Sequence, residues 1–474
     1  MHESTHPNFR TALTFVAAAV LAGCSFIPTY ERPVAPVADA YPTLGSNVGT
    51  QTAAPPMAWT SFVGDAHLRE LIGLALANNR DLRVATLNIE QVRAQYQIRR
   101  ADQYPSLGLA ASGNRQPDGN GGISSTYSAG LALSSWEIDF FGRIASLKEA
   151  ALAQYLASEE AQRAAQTSLV AAVSSTWLSL QSSGELLALT QRTLATREDS
   201  LRLTKLRFDN GATSALDLRQ AESLTAGARA SFAQQQRQRA LDLNALTLLV
   251  GQPIPARLLE PSQPAAAAGE GGAAMQTLLS DVPAGLPSDL LERRADIRQA
   301  EQQLIAANAN IGAARAAFFP RISLTASAGT ASSELSGLFK DGSWGFTLAP
   351  QALLPIFDAG RNRASLDSAK VGRDIAVAQY EKAIQTAFRE VADALAGQAT
   401  LGEQLRAQQV QATAEAERFR LAELRYRNGV ASFLDVLDAQ RSLFGTEQAL
   451  LQTRLAQQQN QVALYRALGG GWSE

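Results

Sequence analysis

Residues 424–437 read LRYRNGVASFLDVL, and residues 206–219 read LRFDNGATSALDLR. Leu206, Arg207, Asn210, Gly211, Ser214, Leu216 and Asp217 return as Leu424, Arg425, Asn428, Gly429, Ser432, Leu434 and Asp435, each 218 positions later. Asn and Gly tolerate the left-handed backbone that closes a helix. Ser214 and Ser432, or the residues beside them, can cap the helix that follows, with Asp217 and Asp435 three residues on, where a negative charge favours the helix dipole. The spacing predicts a helix, a tight turn and a returning helix, built twice.

The duplication extends outward from the turns. DLRVATLNIEQVRAQYQIRRADQYPSLGLAASG (81–113) lies over DIRQAEQQLIAANANIGAARAAFFPRISLTASA (296–328) at an offset of 215. WEIDFFGR (136–143) lies over LPIFDAGR (354–361) at 218, so three residues are gained between Gly113 and Trp136. A repeated unit of this kind sets the architecture and is sought before single motifs. Each repeat reads as helix, two strands, long helix, turn, helix.

Arg143 to Asp209 and Arg361 to Arg427 are each 67 residues without a proline. At 1.5 Å per residue such a helix extends about 100 Å. Val173, Leu180, Leu187, Leu194, Leu201 and Phe208 fall seven apart, and Ile384, Phe388, Val391 and Leu395 mark a second stripe. A narrow apolar seam on a Gln-, Ala- and Arg-rich helix predicts coiled-coil packing. After Pro105 and Pro320 the chain alternates apolar and small polar residues, the period of a strand with two unlike faces. Second strands are expected at about 125–138 and 344–356. Their length suits a tilted bilayer crossing, and a soluble sandwich hairpin has the same pattern.

Net charge is −2 across 474 residues, with 46% hydrophobic content. No clustered basic surface is predicted, so nucleic acid is not an expected partner. The histidines are His2, His6 and His67, which leaves no His pair for a metal and no Cys–His arrangement. DGNGGISS (118–125) and GEGGAA (269–274) lack the Gly-Lys-Ser/Thr ending of a phosphate loop. No enzyme chemistry and no cofactor are expected. TALTFVAAAVLAG (11–23) has the length of a signal-peptide core rather than a spanning helix. It runs into LAGC, which resembles the bacterial lipobox. That resemblance implies lipidation of Cys24, the single cysteine, after removal of residues 1–23, and Ser25 behind it implies sorting to the outer membrane.

GLPSDLLERRADIRQAE (285–301), with Ala295 where proline is usual, the two turns, FDAGR (357–361) and YRALGGGW (465–472) together resemble one family. It is the TolC-like outer-membrane efflux factors, lipoprotein branch (the OprM and NodT group). The resemblance covers nearly all of the chain beyond Cys24. It implies an α+β membrane protein: a homotrimer whose protomers each give four strands to a twelve-stranded transmembrane β-barrel, continued by a long periplasmic α-helical coiled-coil barrel. Domains are then expected as a lipidated segment at 24–66, a first repeat at 67–251, an equatorial linker at 252–288, a second repeat at 289–470 and a tail at 471–474. Shorter helices at about 68–103 with 214–250, and 290–318 with 433–466, are expected to stack into columns.

The implied function is the outer-membrane exit duct of a tripartite efflux system. A periplasmic adaptor would dock at the tips (Asn210, Gly211, Ser214, Asn428, Gly429, Ser432) and join the duct to an inner-membrane pump, commonly of the resistance–nodulation–division type. By the same resemblance Leu434 and Asp438 narrow the periplasmic end. Four residues apart, they share one helix face, and Asp435 is a further candidate there. Asp438 paired with Arg441 within its own chain is the competing reading. Long helical hairpins with a tip also suit a lipid-anchored periplasmic adaptor or scaffold. The duplication, four strand candidates and the lack of a lipoyl-like β domain count against that alternative.

Overall fold

A computed structural model describes residues 25–42, 57–117, 121–259, 279–280 and 287–470. Cys24, the expected signal peptide, the tail at 471–474 and most of the expected connector lie outside the described residues. Apart from short helices of seven residues or fewer, the helices are α1 (Ala66–Asn78), α2 (Arg80–Ala101), α3 (Arg143–Asp209), α4 (Ala215–Val250), α5 (Ala295–Ala316), α6 (Arg361–Arg427) and α7 (Phe433–Ala467). The strands are β1 (Leu107–Pro117), β2 (Ile123–Ile138), β3 (Arg321–Ser332) and β4 (Trp344–Leu353). Both long helices, α3 and α6, span the 67 proline-free residues that the sequence marks out. Two compact units result. One holds Leu87–Glu160, Arg298–Ala383 and the N-terminal residues through Ala35; the other holds Pro36–Thr86, Ala161–Ile297 and Ile384–Glu474.

The first unit is built on an antiparallel sheet in the order β1-β2-β3-β4. The register brings Leu107 opposite Leu133, Leu109 opposite Leu131, Ala328 opposite Phe346 and Ala326 opposite Leu348. Because side chains alternate along a strand, these residues share one face, and Trp344 joins them. Ser112, Ser128, Ser327 and Thr347 lie on the other face. A bulge between Leu133 and Trp136 inserts one residue into β2, so that Trp136 opposite Leu324 stays on the apolar face. Gly130 and Gly329 are paired, and a Cβ on either would fall within 2.5 Å of the other's backbone. No larger residue fits there.

The second unit has the larger apolar core. Leu68, Leu71, Ile72 and Ala75 of α1 pack with Val173, Trp177 and Leu178 of α3, Leu246 and Val250 of α4, and Tyr465 of α7. Phe62 stacks on Tyr465 with ring centres 4.2 Å apart.

Two expectations need correction. The opening helices at 68–103 and 290–318 are not continuous. The first breaks at Asn79 between α1 and α2, and the second at Arg294 between a short helix, Pro287–Arg293, and α5. The heptad seam of α3 also differs from its expected form. Val173 and Leu180 are buried, but Leu187, Leu194 and Leu201 are half-buried and Phe208 is exposed. Beyond them, besides Leu189, the covered positions are Ser183, Thr190, Arg197 and Thr204, again seven apart. Small hydroxyl side chains that bond their own helix, as Thr190 and Thr204 do with Leu186 and Ser200, let the neighbouring helix approach closely.

Candidate functional site

The two turns close by one mechanism. After α3, the Gly211 amide donates to Phe208 O at 2.9 Å and the Ala212 amide to Arg207 O at 2.7 Å. After α6, the Gly429 amide donates to Tyr426 O at 3.0 Å and the Val430 amide to Arg425 O at 3.0 Å. Each pair is a Schellman closure around a glycine with φ of +72° or +73°. Asn210 and Asn428 donate from Nδ2 to Leu206 O and Leu424 O, both at 2.7 Å. Ser214 and Ser432 are the N-caps, and each forms a capping box with the aspartate three residues on, Asp217 or Asp435. Such a cap contributes about 1 kcal/mol. The Ser214 hydroxyl, then Thr213 and the Ser214 amide, hold the Asp217 carboxyl below its usual pKa. The structure also ties the turns to each other: the Arg207 guanidinium bonds the Tyr426 hydroxyl and lies over its ring, 5.2 Å from the centre.

Leu434, the second residue of α7, is 55% exposed. Asp438, the next turn along, is gripped from two sides. Its Oδ2 accepts from Arg418 Nη2 at 2.6 Å and its Oδ1 from Arg441 Nη2 at 2.7 Å. The Arg418 hydrogen bond is the main reason its carboxyl stays below the usual range. Pairing with Arg441 is therefore present, together with a second partner that the sequence reading missed. Arg418 and Asp438 are equidistant from Asn428, so an antiparallel hairpin folded at that residue sets them side by side; that count was the available signal. Asp435 is separated from this group by its role in the cap, where its Oδ2 accepts from the Ser432 amide and hydroxyl at 3.0 and 2.9 Å. In the first repeat the positions matching Arg418, Asp438 and Arg441 hold Ser200, Gln220 and Ser223.

A further arrangement fixes the N-terminal residues of the first unit. Arg315 Nη1 donates to Phe26 O at 3.2 Å, Asn308 Nδ2 donates to Pro28 O at 2.7 Å, and Glu301 accepts from the Tyr30 hydroxyl and from Nε and Nη2 of Arg32. Residues 301, 308 and 315 are seven apart on one face of α5. Phe26 stacks on Phe319, which in turn stacks on Phe141. The strap thus begins, one residue after Cys24, at the helix-connected end of the sheet.

Comparison with known proteins decides the family. The profile for outer membrane efflux protein matches residues 71–252 and again 286–470. The chain belongs to the outer membrane efflux protein family. Among curated relatives, the antibiotic efflux pump outer membrane protein ArpC of Pseudomonas putida is 49% identical over 97% of this chain and 95% of its own. The toluene efflux pump outer membrane protein TtgC of the same species matches equally well over the same shares. Among solved structures, the open state of the Neisseria gonorrhoeae outer membrane channel MtrE superposes with a TM-score of 0.82 at 41% identity, covering 94% of this chain and 98% of that one.

An outer membrane efflux protein of this fold is a trimeric β-barrel of four strands per protomer, continued by a periplasmic helical barrel. It is a passive exit duct of an efflux system in the outer membrane and catalyses no reaction. It works with an adaptor and an inner-membrane pump. In that setting the apolar face of the sheet meets lipid, and closure by neighbouring copies satisfies the edges of β1 and β4, which an open sheet in hydrocarbon would leave unpaired. Among the described residues no helix is long and apolar enough to cross a membrane.

Proposed function

We propose that this duct is closed at its periplasmic end by Leu434 and Asp438 and docks its adaptor through the two tips. The carrying observation is the group Arg418–Asp438–Arg441, found in the second repeat alone. A feature that the structural duplication would otherwise have copied has diverged at the returning helix after the second tip. Three copies on a trimer axis give a leucine ring and, one turn on, a carboxylate ring. Mutual repulsion of three carboxylates is relieved by the two arginines that each one holds. Asp435 supports this ring indirectly by fixing the start of α7. Asn210, Gly211, Ser214, Asn428, Gly429 and Ser432 shape the docking turns.

The adaptor and pump are of the resistance–nodulation–division type in this reading. The cargo class is apolar to amphiphilic small molecules, as the words antibiotic and toluene in the relatives' names suggest. Cys24 carries the lipid. Support comes from the strap, whose Phe26 stacks on Phe319, two residues before β3, which in turn stacks on Phe141, three after β2. A lipid on Cys24 would reach the inner leaflet next to the barrel. The test is complementation of a strain lacking its own outer-membrane component but expressing such a pump and adaptor. The chain should restore resistance to hydrophobic antibiotics and to toluene. Cys24→Ser should remain membrane-bound with reduced assembly and partial resistance. Failure of the wild-type chain to restore resistance despite normal trimers would reject the pump assignment.

A further inference from the structure

The two hairpin loops of the sheet differ in chemistry. Between β1 and β2 the chain is glycine-rich and polar. Between β3 and β4 it reads SELSGLFKDGS (333–343) and carries three large apolar residues. Leu338 is buried within the protomer, whereas Leu335 is 68% and Phe339 81% exposed. Their exposure is not that of a loose loop. A single turn of 3-10 helix, Leu335–Gly337, starts it, and the Lys340 and Ser343 amides continue the chain of turns onto Gly337 O and Lys340 O at 3.2 and 3.1 Å.

The loop also has a direction. A Cβ on Gly337 would lie 2.5 Å from Ser332 Oγ. Ser332 shares a face of β3 with Leu324, Ala326 and Ala328, the residues opposite Pro350, Leu348 and Phe346. The turn is therefore folded toward the apolar face, not the serine-lined one. That face runs on into Trp344, Phe346 and Leu348, which are 69%, 72% and 62% exposed. Exposed apolar groups contiguous with a larger apolar surface mark an interface, and scattered single ones do not. The contiguous surface here is the lipid-facing side of the barrel, and the loop lies at the sheet end opposite the helices, hence at the extracellular side.

We propose that the β3–β4 loop is an anchor in the outer leaflet. Leu335 and Phe339 enter the boundary of the acyl chains beside Trp344, and Lys340 extends from the same turn toward the headgroups, as long basic side chains do. Each trimer would carry three such anchors, while the β1–β2 loops stay in water. The occupant is lipid, not a second copy of the loop across the pore and not a protein ligand.

Site-directed spin labelling tests this in full-length trimers reconstituted into liposomes. Nitroxides are placed at Phe339→Cys, Leu335→Cys and, as the aqueous control, Ser124→Cys; wild-type protein taken through the same labelling sets the background. Collisions with oxygen should exceed those with a water-soluble nickel chelate at 339 and 335, and the order should reverse at 124. Nickel accessibility at 339 and 335 equal to that at 124 would overturn the proposal. Dipolar broadening between the three labels of a trimer, showing that the loops converge over the pore, would overturn it as well. If the 339 variant fails to give heat-modifiable trimers, the label at 335 decides.

Discussion

Asn79 and Arg294 occupy the same place in the two repeats, 215 residues apart, and each bonds the end of its own repeat's returning helix. Asn79 Nδ2 donates to Leu249 O at 2.9 Å, and Arg294 Nη1 donates to Ala467 O at 2.8 Å. Leu249 and Ala467 are themselves matched at the 218 offset. Both residues are buried, at 6% exposure, and both interrupt a helix. The duplication has thus kept a closure in which the break in the opening helix is tied to the last turn of the returning one. It has changed the chemistry: Asn79 also caps Leu82, whereas Arg294 also holds Asp296 at 2.6 Å and Glu390 at 2.8 Å.

The charged version is expected to be the costlier to break. Arg294→Ala leaves Ala467 O unpaired and removes a partner from two carboxylates, a loss of about 3 kcal/mol, the lower end for buried ion pairs because Asp296 is partly exposed and Glu390 keeps Arg466. Asn79→Ala loses one cap and one hydrogen bond, about 1–2 kcal/mol. The temperature at which the trimer dissociates on a semi-native gel should fall further for Arg294→Ala. Equal shifts would show that the ion pairs add nothing to the closure.

The neighbouring glycines give a second graded pair. Gly251 and Gly469 have φ of +77° and +97°, so alanine at either costs about 1 kcal/mol in backbone strain. A Cβ on Gly251 would meet Asn78 O at 2.4 Å, but on Gly469 it would meet Arg293 O at 3.1 Å. Gly251→Ala should therefore lower the dissociation temperature more than Gly469→Ala. The reverse order would mean that the second closure is the tighter one.

At the tips the same backbone strain arises with no crowding, since nothing lies within 4 Å of a Cβ on Gly211 or Gly429. Valine at either position costs roughly 1–2 kcal/mol, small against the packing of a trimer. Trimer yield should be normal and drug resistance lost. Collapse of the trimer would instead make the turns structural.

Much of this was legible in the sequence because it depends on local chemistry repeated twice. Asn-Gly closures, serine caps and proline-free stretches specify the turns and the two 67-residue helices with no reference to distant residues. The break at Asn79 carried a local signal that was passed over, an asparagine placed to cap Leu82. The break at Arg294 was not legible: arginine is no helix breaker, and its partner carbonyl on Ala467 lies 173 residues away. The strap was missed for the same reason, as Glu301 finds Tyr30 and Arg32 only through the tertiary fold. The polar seam of Ser183, Thr190, Arg197 and Thr204 escaped a search for apolar heptads, although its seven-residue spacing was plain. Arg418 was within reach by counting back from Asn428 as far as Asp438 lies beyond it.

The Asp438 group predicts a pH response. Its folded pKa lies below the ordinary 3.8, so the pairing is present above that value and is lost as pH falls through the lower folded one, and in the proposed gate that loss would favour opening. Conductance should be flat from about pH 5 to 8 and rise below about pH 4. Asp438→Asn should conduct at neutral pH as the wild type does in acid, with the acid step abolished. An acid step that survives in that variant belongs to another group.

The most direct measurement is single-channel conductance of the purified trimer in planar bilayers, wild type against Leu434→Ala with Asp438→Ala. A closed-end duct predicts small steps for the wild type and clearly larger ones for the double variant at equal trimer yield, with vancomycin-sized molecules admitted. Equal conductance in the two proteins would contradict the assignment of Leu434 and Asp438 as the closure.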